Sequence, residues 1–345
     1  MGWLNSLFSG NKTAPPAAPP AKPPPKPLVV PTTTDAKPLL PAEESTEPVD
    51  LDPKAVRLQL MKRLDVMREV ATAENDKAIV GLLYQSVVDD ALDLPRFPAV
   101  ADELLRLDSS SALDGESVAG LIARDPDLAA RIVQISSSLA FGGVKQTSLA
   151  QAVTRLGFEQ VRYIAVGVSL DGVVYKIPGY DKEATAVRDA GLASGIFCSA
   201  LARVSGRTGD TGIAFLSGLF HDVGQALVLR NLSTLRARTK GGAPSQLLVK
   251  RLMADMHVPL GTLYTSYRTL PLPVISAVAT HHEPNRASPE HLWLSYFVWA
   301  SDRMHENAKN LDDKEKMAEL AQQWPQKAPP FDRVVDLARG RGRAA

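Results

Sequence analysis

The chain has 345 residues, 45% of them hydrophobic, which is enough apolar mass for one large domain or two small ones. Its 39 basic and 38 acidic residues leave a net charge of +1, so no global field draws it to nucleic acid or to an anionic bilayer. A single cysteine, Cys198, excludes an internal disulfide and fits a reducing, cytoplasmic compartment.

Residues 1–52 read as a tether. Thirteen of the 26 prolines fall in the first 53 residues, and Trp3 and Phe8 are the only aromatics there, so the segment is expected to be disordered and to sample polyproline II. Trp3, Leu4, Leu7 and Phe8 form a short apolar terminus suited to docking. The start Met1-Gly2-Trp3-Leu4-Asn5-Ser6 matches the loose myristoylation pattern but lacks the charged first region and long apolar stretch of a cleavable signal. Asp52-Pro53 then predicts a helix start, because the carboxylate accepts from free amides and proline at the first position wastes no donor. Leu60, Met61, Leu64 and Met67 make one helical stripe, and Ile79, Leu82, Leu83 and Val87 make a second, giving an amphipathic preface over 53–92.

Leu94-Pro95-Arg96-Phe97-Pro98 breaks the helical pattern and opens the main domain, 93–307. Asp125-Pro126 begins a helix striped by Leu128, Ile132 and Ile135. Ser148 begins another, with Leu149, Ala152, Val153 and Leu156, closed by Gly157. Further helices are predicted over about 184–205, 211–232, 244–256, 259–268, 272–283 and 290–307. Residues 308–345 form a helical and basic tail whose end, Arg339-Gly340-Arg341-Gly342-Arg343, lacks interleaved aromatics and reads as solvated. No period-2 strand pattern is convincing, no run reaches the ~18 to 20 apolar residues of a membrane span, and Gly142-Gly143 and Gly241-Gly242 read as turns. The fold class is therefore all-α.

The candidate chemistry begins at His221, the first histidine in the chain, within Gly218-Leu219-Phe220-His221-Asp222-Val223-Gly224. On a helix the two side chains diverge by about 100°, so both reach one site only if it lies in a wedge between helices. His281-His282 repeats the arrangement, with Glu283-Pro284 ending its helix. His257 opens the predicted helix at Val258-Pro259-Leu260, and Asp302 ends the apolar run 294–301. Imidazole and carboxylate suit Mn, Fe, Zn or Ni. By themselves these residues also fit a plainer reading: a capped core histidine at 221 and a surface pair at 281–282.

From Leu94 to about Asp302 the chain resembles the HDOD family, a bacterial relative of HD metal-dependent phosphohydrolases that usually lacks a complete catalytic set. The resemblance is carried by Leu94-Pro95-Arg96-Phe97-Pro98 and by Asp125-Pro126-Asp127-Leu128 running to Ser137-Ser138. It continues through Ser148 with Ala152, Val153, Leu156 and Gly157, the run 218–224, His257 with Leu272-Pro273-Val274-Ile275, His281-His282-Glu283-Pro284, and Asp302. Two departures stand out. Ser137 replaces an expected Asn, and the helix before His221-Asp222, residues 187–194, has no histidine in the place of the first metal ligand. Asp189 there could offer a carboxylate oxygen instead, and it otherwise reads as an exposed helix charge.

The resemblance implies an HD-like helical domain acting as a non-catalytic, bacterial signal-transduction module that binds a signalling protein or a small ligand and needs no cofactor. His221-Asp222 would then be a buried polar clasp. The alternative it implies is a phosphohydrolase acting on a nucleotide or cyclic dinucleotide, with one or two divalent transition metals on His221, Asp222, His257, His281, His282 and Asp302. Arg188, Arg203 or Lys250 would be available to the phosphate.

Overall fold

A computed structural model describes residues 47–107, 115–137, 144–236, 242–308, 310–325 and 330–339. These residues are helical, with no strand among them. The apolar terminus Trp3, Leu4, Leu7 and Phe8, most of the tether, and Gly142, Gly143, Gly241, Arg341 and Arg343 lie outside the described residues.

The preface is two helices, α1 (Pro53–Val70) and α2 (Glu74–Val88). Asp52 caps α1 by accepting from the Lys54 amide at 2.7 Å, and Pro53 occupies the first turn, as predicted. Both apolar stripes are buried in the main core beside Val228, Leu252 and Leu260, so the preface packs on the domain that follows. The end of the tether is also held. The Val49 amide donates to the Arg286 carbonyl at 3.0 Å.

After the extended stretch at 94–98 come α3 (Ala99–Arg106), α4 (Gly115–Ala123), α5 (Pro126–Ser136), α6 (Leu149–Leu156), α7 (Phe158–Ser169) and the one-turn α8 (Asp171–Val174). Asp125 and Ser148 cap α5 and α6 through the Leu128 and Gln151 amides. Gly157, at φ 83°, ends α6 in a backbone shape that favours glycine, and α7 starts at the next residue. Sequence periodicity misses α7 because it is buried nearly all round, from Gln160 to Val168, and so has no polar face to mark the period.

The site-bearing helices are α9 (Asp181–Val204), α10 (Thr211–Phe220), α11 (Val223–Arg236), α12 (Gln246–Tyr267), α13 (Leu272–Thr280) and α14 (Leu292–Glu306). Three sequence expectations need correction here. The predicted helix 211–232 is two helices broken at His221-Asp222. The predicted helices 244–256 and 259–268 are one, with Pro259 inside it. Proline removes one hydrogen bond and disfavours a helix interior by about 3 kcal/mol, but burial of Leu252, Met256, Leu260 and Leu263 on both sides of it offsets that loss. The helix predicted over 272–283 ends at Thr280, which leaves both His281 and His282 beyond its last turn.

A second core lies around Phe197, Cys198, Phe297 and Trp299. The tail helices α15 (Lys314–Gln322) and α16 (Phe331–Ala338) close it, with Trp324 stacked 6.4 Å from both Phe297 and Trp299. Arg339, read from sequence as part of a solvated end, instead donates to the Leu311 carbonyl and pairs with Asp312 at 3.1 Å. One stretch, Thr208–Arg236, is long and apolar enough to cross a membrane by length and composition, which the sequence reading overlooked. Most of that stretch is buried inside the protein.

Candidate metal centre

Two glycines of the run 218–224 bring the helices together. A Cβ on Gly218 would lie 2.5 Å from the Ser194 carbonyl oxygen of α9, and one on Gly224 would lie 1.9 Å from the His257 carbonyl oxygen of α12. The His-Asp turn is thus clamped between α9 and α12 with no room for side chains at either contact. This close approach forms the wedge that the adjacent His221 and Asp222 need.

All six predicted residues converge on it. His221, Asp222 and Asp302 form one group of potential ligand atoms within 4.8 Å of one another, and His257, His281 and His282 form another. Asp222 lies between the groups. Its carboxylate is 3.5 Å from His221 Nε2, 3.6 Å from His257 Nε2 and 3.8 Å from His281 Nε2. Asp302 is 3.2 Å from His221 Nε2 and 3.8 Å from His282 Nδ1. The surface-pair reading of 281–282 is corrected: His281 is fully buried, and only His282 keeps substantial exposure, at 41% of its side chain.

Three of the four imidazoles are oriented alike. His221 Nδ1 donates to the Gly218 carbonyl at 2.7 Å, His257 Nδ1 to Met253 at 2.8 Å, and His281 Nδ1 to Val278 at 2.8 Å. Each bond runs three or four residues back along the chain, fixes the tautomer, and turns Nε2 inward, as outer-shell partners of metal-bound histidine do. The inward face is not satisfied by protein alone. His281 Nε2 is buried without a hydrogen-bond partner among the described residues, whereas the Nε2 atoms of His257 and His282, 2.9 Å apart, are within hydrogen-bond reach of each other, His257 accepting. Two nitrogens at about 2.1 Å from one ion stand roughly 3.4 Å apart in a tetrahedron and roughly 3.0 Å apart at right angles, so a small separation of the two rings, or a right-angled arrangement, would let one ion take both. Two carboxylates and four imidazoles are a fitting donor set for a divalent transition metal.

The electrostatics divide the same way. Burial disfavours a charge on His221, but Asp222, Asp302 and the two hydrogen bonds outweigh it and raise its pKa to about 9. Burial likewise opposes ionisation of Asp302, and His221 overcomes it, holding that carboxyl well below its usual range. His281 is depressed by burial and then by His282 and His221. His282 is lowered to about 3 by burial and by His257, against the pull of Asp302. The carboxylate-rich end favours cationic character, and the histidine-rich end holds neutral imidazoles ready to donate lone pairs.

Asp189 does not join either group. Its side chain is half exposed and is held by Arg188 at 2.9 Å. Ser137 keeps a polar role in place of the expected Asn: its hydroxyl accepts from the Gln146 amide at 2.8 Å and donates to the Val133 carbonyl. Sequence reading passed over Arg303, the residue after Asp302, and Glu306, one turn on, which pair at 2.6 Å. Both are ordinary helix-surface residues until Asp302 is known to face inward, and their i, i+3 spacing was the available signal.

The sequence profile of the HDOD domain matches residues 94–284. An uncharacterized protein of Treponema pallidum (strain Nichols) is 23% identical over 218 residues, which is 61% of this chain and 41% of that protein's length. Among solved structures, a candidate metal-dependent phosphohydrolase from Shewanella amazonensis SB2B superposes with a TM-score of 0.59 at 18% identity, covering 77% of this chain and 99% of its own. An HDOD domain protein of unknown function from Geobacter sulfurreducens gives a TM-score of 0.50 at 16% identity, covering 75% and 88%.

Proposed function

The chain belongs to the HDOD domain family, and from that premise we propose that it is a non-catalytic signal-transduction module whose helical domain binds a partner protein or small ligand around a metal-holding His/Asp cluster. The observation that carries this reading is the contrast between six converged residues and a seventh that is turned away. His221, Asp222, His257, His281, His282 and Asp302 meet at the wedge, while Asp189, the carboxylate in the stretch where the first hydrolase ligand would fall, is paired with Arg188 at a half-exposed position. His257, His281 and His282 would hold a divalent metal on one side of Asp222, and His221 with Asp302 would do so on the other. Such an ion would neutralise the carboxylates and attract an anionic group.

The chain's own residues do the remaining work. The carbonyls of Gly218, Met253 and Val278 orient three rings. His282, the exposed member, is placed to sense whatever approaches the cluster.

A metal-dependent phosphohydrolase is the second reading, favoured by that same exposure of His282 and by an aspartate, Asp222, that belongs to one ligand group and lies within 3.8 Å of the other. The two separate in one experiment: metal analysis of the purified protein, with phosphomonoesters and phosphodiesters offered to it and to His221→Ala. Bound metal without turnover supports the module. Turnover that disappears in His221→Ala overturns it in favour of the enzyme.

A further inference from the structure

The chain meets the neighbourhood of the cluster before its first helix begins. The Val49 amide donates to the Arg286 carbonyl at 3.0 Å, and Arg286 Nε donates to the Glu47 carbonyl at 3.4 Å. Pro48 lies between these contacts. Its ring fixes its own φ and disfavours a helical Glu47, so the stretch is biased towards an extended shape in which the Glu47 carbonyl and the Val49 amide face one partner. Leu51 then packs on the main core and Asp52 caps α1, so residues 47–50 form a strap fastened at both ends.

The anchor of the strap, Arg286, closes the 3₁₀ turn Pro284–Arg286, which begins two residues after His282. Arg286 also pairs with Glu283 at 3.0 Å, and Asn285 accepts from the Tyr296 hydroxyl of α14 at 2.5 Å. Strap, turn and α14 are thus joined at the four residues that follow His282. This placement matters because His282 is held differently from the other rings. His221, His257 and His281 are each fixed by a carbonyl three or four residues behind them. His282 has no such bond among the described residues; it rests on His257 Nε2 at 2.9 Å and faces Asp302 at 3.8 Å. It stands beyond the last turn of α13, so the turn after it, and not the helix, supports its backbone on that side.

We infer that residues 47–50 are a strap that positions His282 through the Val49–Arg286 bond, and so tie the N-terminal side of the chain to the open end of the His/Asp cluster. With the strap seated, the turn holds His282 against His257. With the strap released, the turn loses its outer support and His282 gains access to solvent. The positioning does not depend on metal; only its effect on metal affinity rests on the reading of the cluster as a metal centre.

The test uses the full chain and removes one donor. Val49→Pro deletes the amide that bonds Arg286, while Val49→Ala keeps it. In EDTA, the rate at which diethyl pyrocarbonate acylates His282, followed by mass spectrometry of peptides, should rise about fivefold in Val49→Pro, the factor expected from losing one neutral hydrogen bond. It should stay at the wild-type rate in Val49→Ala, and buried His281 and the half-buried His305 should react as in wild type in both. Zn²⁺ affinity, measured by competition with a chelator, should fall by a similar factor in Val49→Pro alone. Three results overturn the inference: an unchanged His282 rate in Val49→Pro, an equal rise in Val49→Ala, or a rise shared by His281 and His305, which would mean general loosening. A wild-type protein that takes up no Zn²⁺ yet shows the His282 change would refute the metal-centre reading and leave the strap standing; Zn²⁺ uptake with an unchanged His282 rate would do the reverse.

Discussion

Gly224→Ala tests the architecture of the site at a single atom. The added Cβ would lie 1.9 Å from the His257 carbonyl oxygen, 2.6 Å from its carbon and 2.7 Å from its Cα. All three are backbone, so no side chain can swing aside, and α11 and α12 must separate by about 1 Å to restore contact distance. A gap of that size forfeits roughly a quarter to a half of the dispersion energy across the contact. Overpacking of a filled core costs about 1 to 3 kcal/mol, and this backbone-on-backbone case belongs at the top of that range, about 3 kcal/mol. Urea denaturation followed by far-UV circular dichroism measures the change. Gly81→Ala is the matched control. Gly81 is inside α2 with nothing within 4 Å of a new Cβ, so there alanine should stabilise by roughly 0.5 to 1 kcal/mol. The same displacement carries His257 away from Asp222 and His282, so metal affinity should fall together with stability in Gly224→Ala and stay unchanged in Gly81→Ala. A Gly224→Ala protein within about 0.5 kcal/mol of wild type, with unchanged metal affinity, would refute the claim that this contact sets the site.

Other expectations follow from the same geometry. Trp324→Ala should cost about 3 to 5 kcal/mol, because the ring is nearly buried between Phe297, Trp299 and Phe331; a loss below about 1 kcal/mol in urea melts would mean α15 and α16 are not integral to the fold. In EDTA, stability should peak between the acid and alkaline sides. His281 and His282 have folded pKa values below the unfolded one, so their contribution is lost as pH falls below about 6.5; His221, raised to about 9, contributes fully below about 6.5 and loses its contribution as pH climbs to 9. Asp302→Asn should shrink the alkaline limb of that profile, with Asp222 left to hold part of the His221 shift, and should deepen the acid limb, since Asp302 also favours the charged forms of His281 and His282; an unchanged alkaline limb would show that Asp302 does not hold the His221 proton. Saturating metal at about a hundred times its dissociation constant should add about 2.7 kcal/mol of stability, readable as a shift in the urea midpoint that His281→Ala removes.

Much of this was legible in the chain itself, where local chemistry decides. Asp52-Pro53, Asp125-Pro126 and Ser148 start helices because capping is a short-range bond between a side chain and amides two or three residues on. The six cluster residues were named from types and order alone, and the structure gathers all of them. What stayed hidden depends on long-range packing. Pro259 reads as a break, yet the helix continues through it because its two halves are buried together. Phe158–Ser169 gave no period because it is covered on every side. His281 fitted half of a surface pair as well as a ligand, and only the arrival of His221 and His257 from elsewhere in the chain shows it to be the most buried ring of the cluster. The glycines at 218 and 224 were visible as a motif, but their purpose, a close approach to α9 and α12, was not.

The central claim, that a sequence lacking the first hydrolase ligand keeps a competent metal site, comes down to one titration. Purified protein stripped with chelator and titrated with Zn²⁺ should take up metal at saturable, imidazole-rich sites, seen by X-ray absorption as nitrogen and oxygen neighbours with the outer features of histidine rings. His281→Ala should lose them. A spectrum of oxygen neighbours only, or one identical in wild type and His281→Ala, would contradict it.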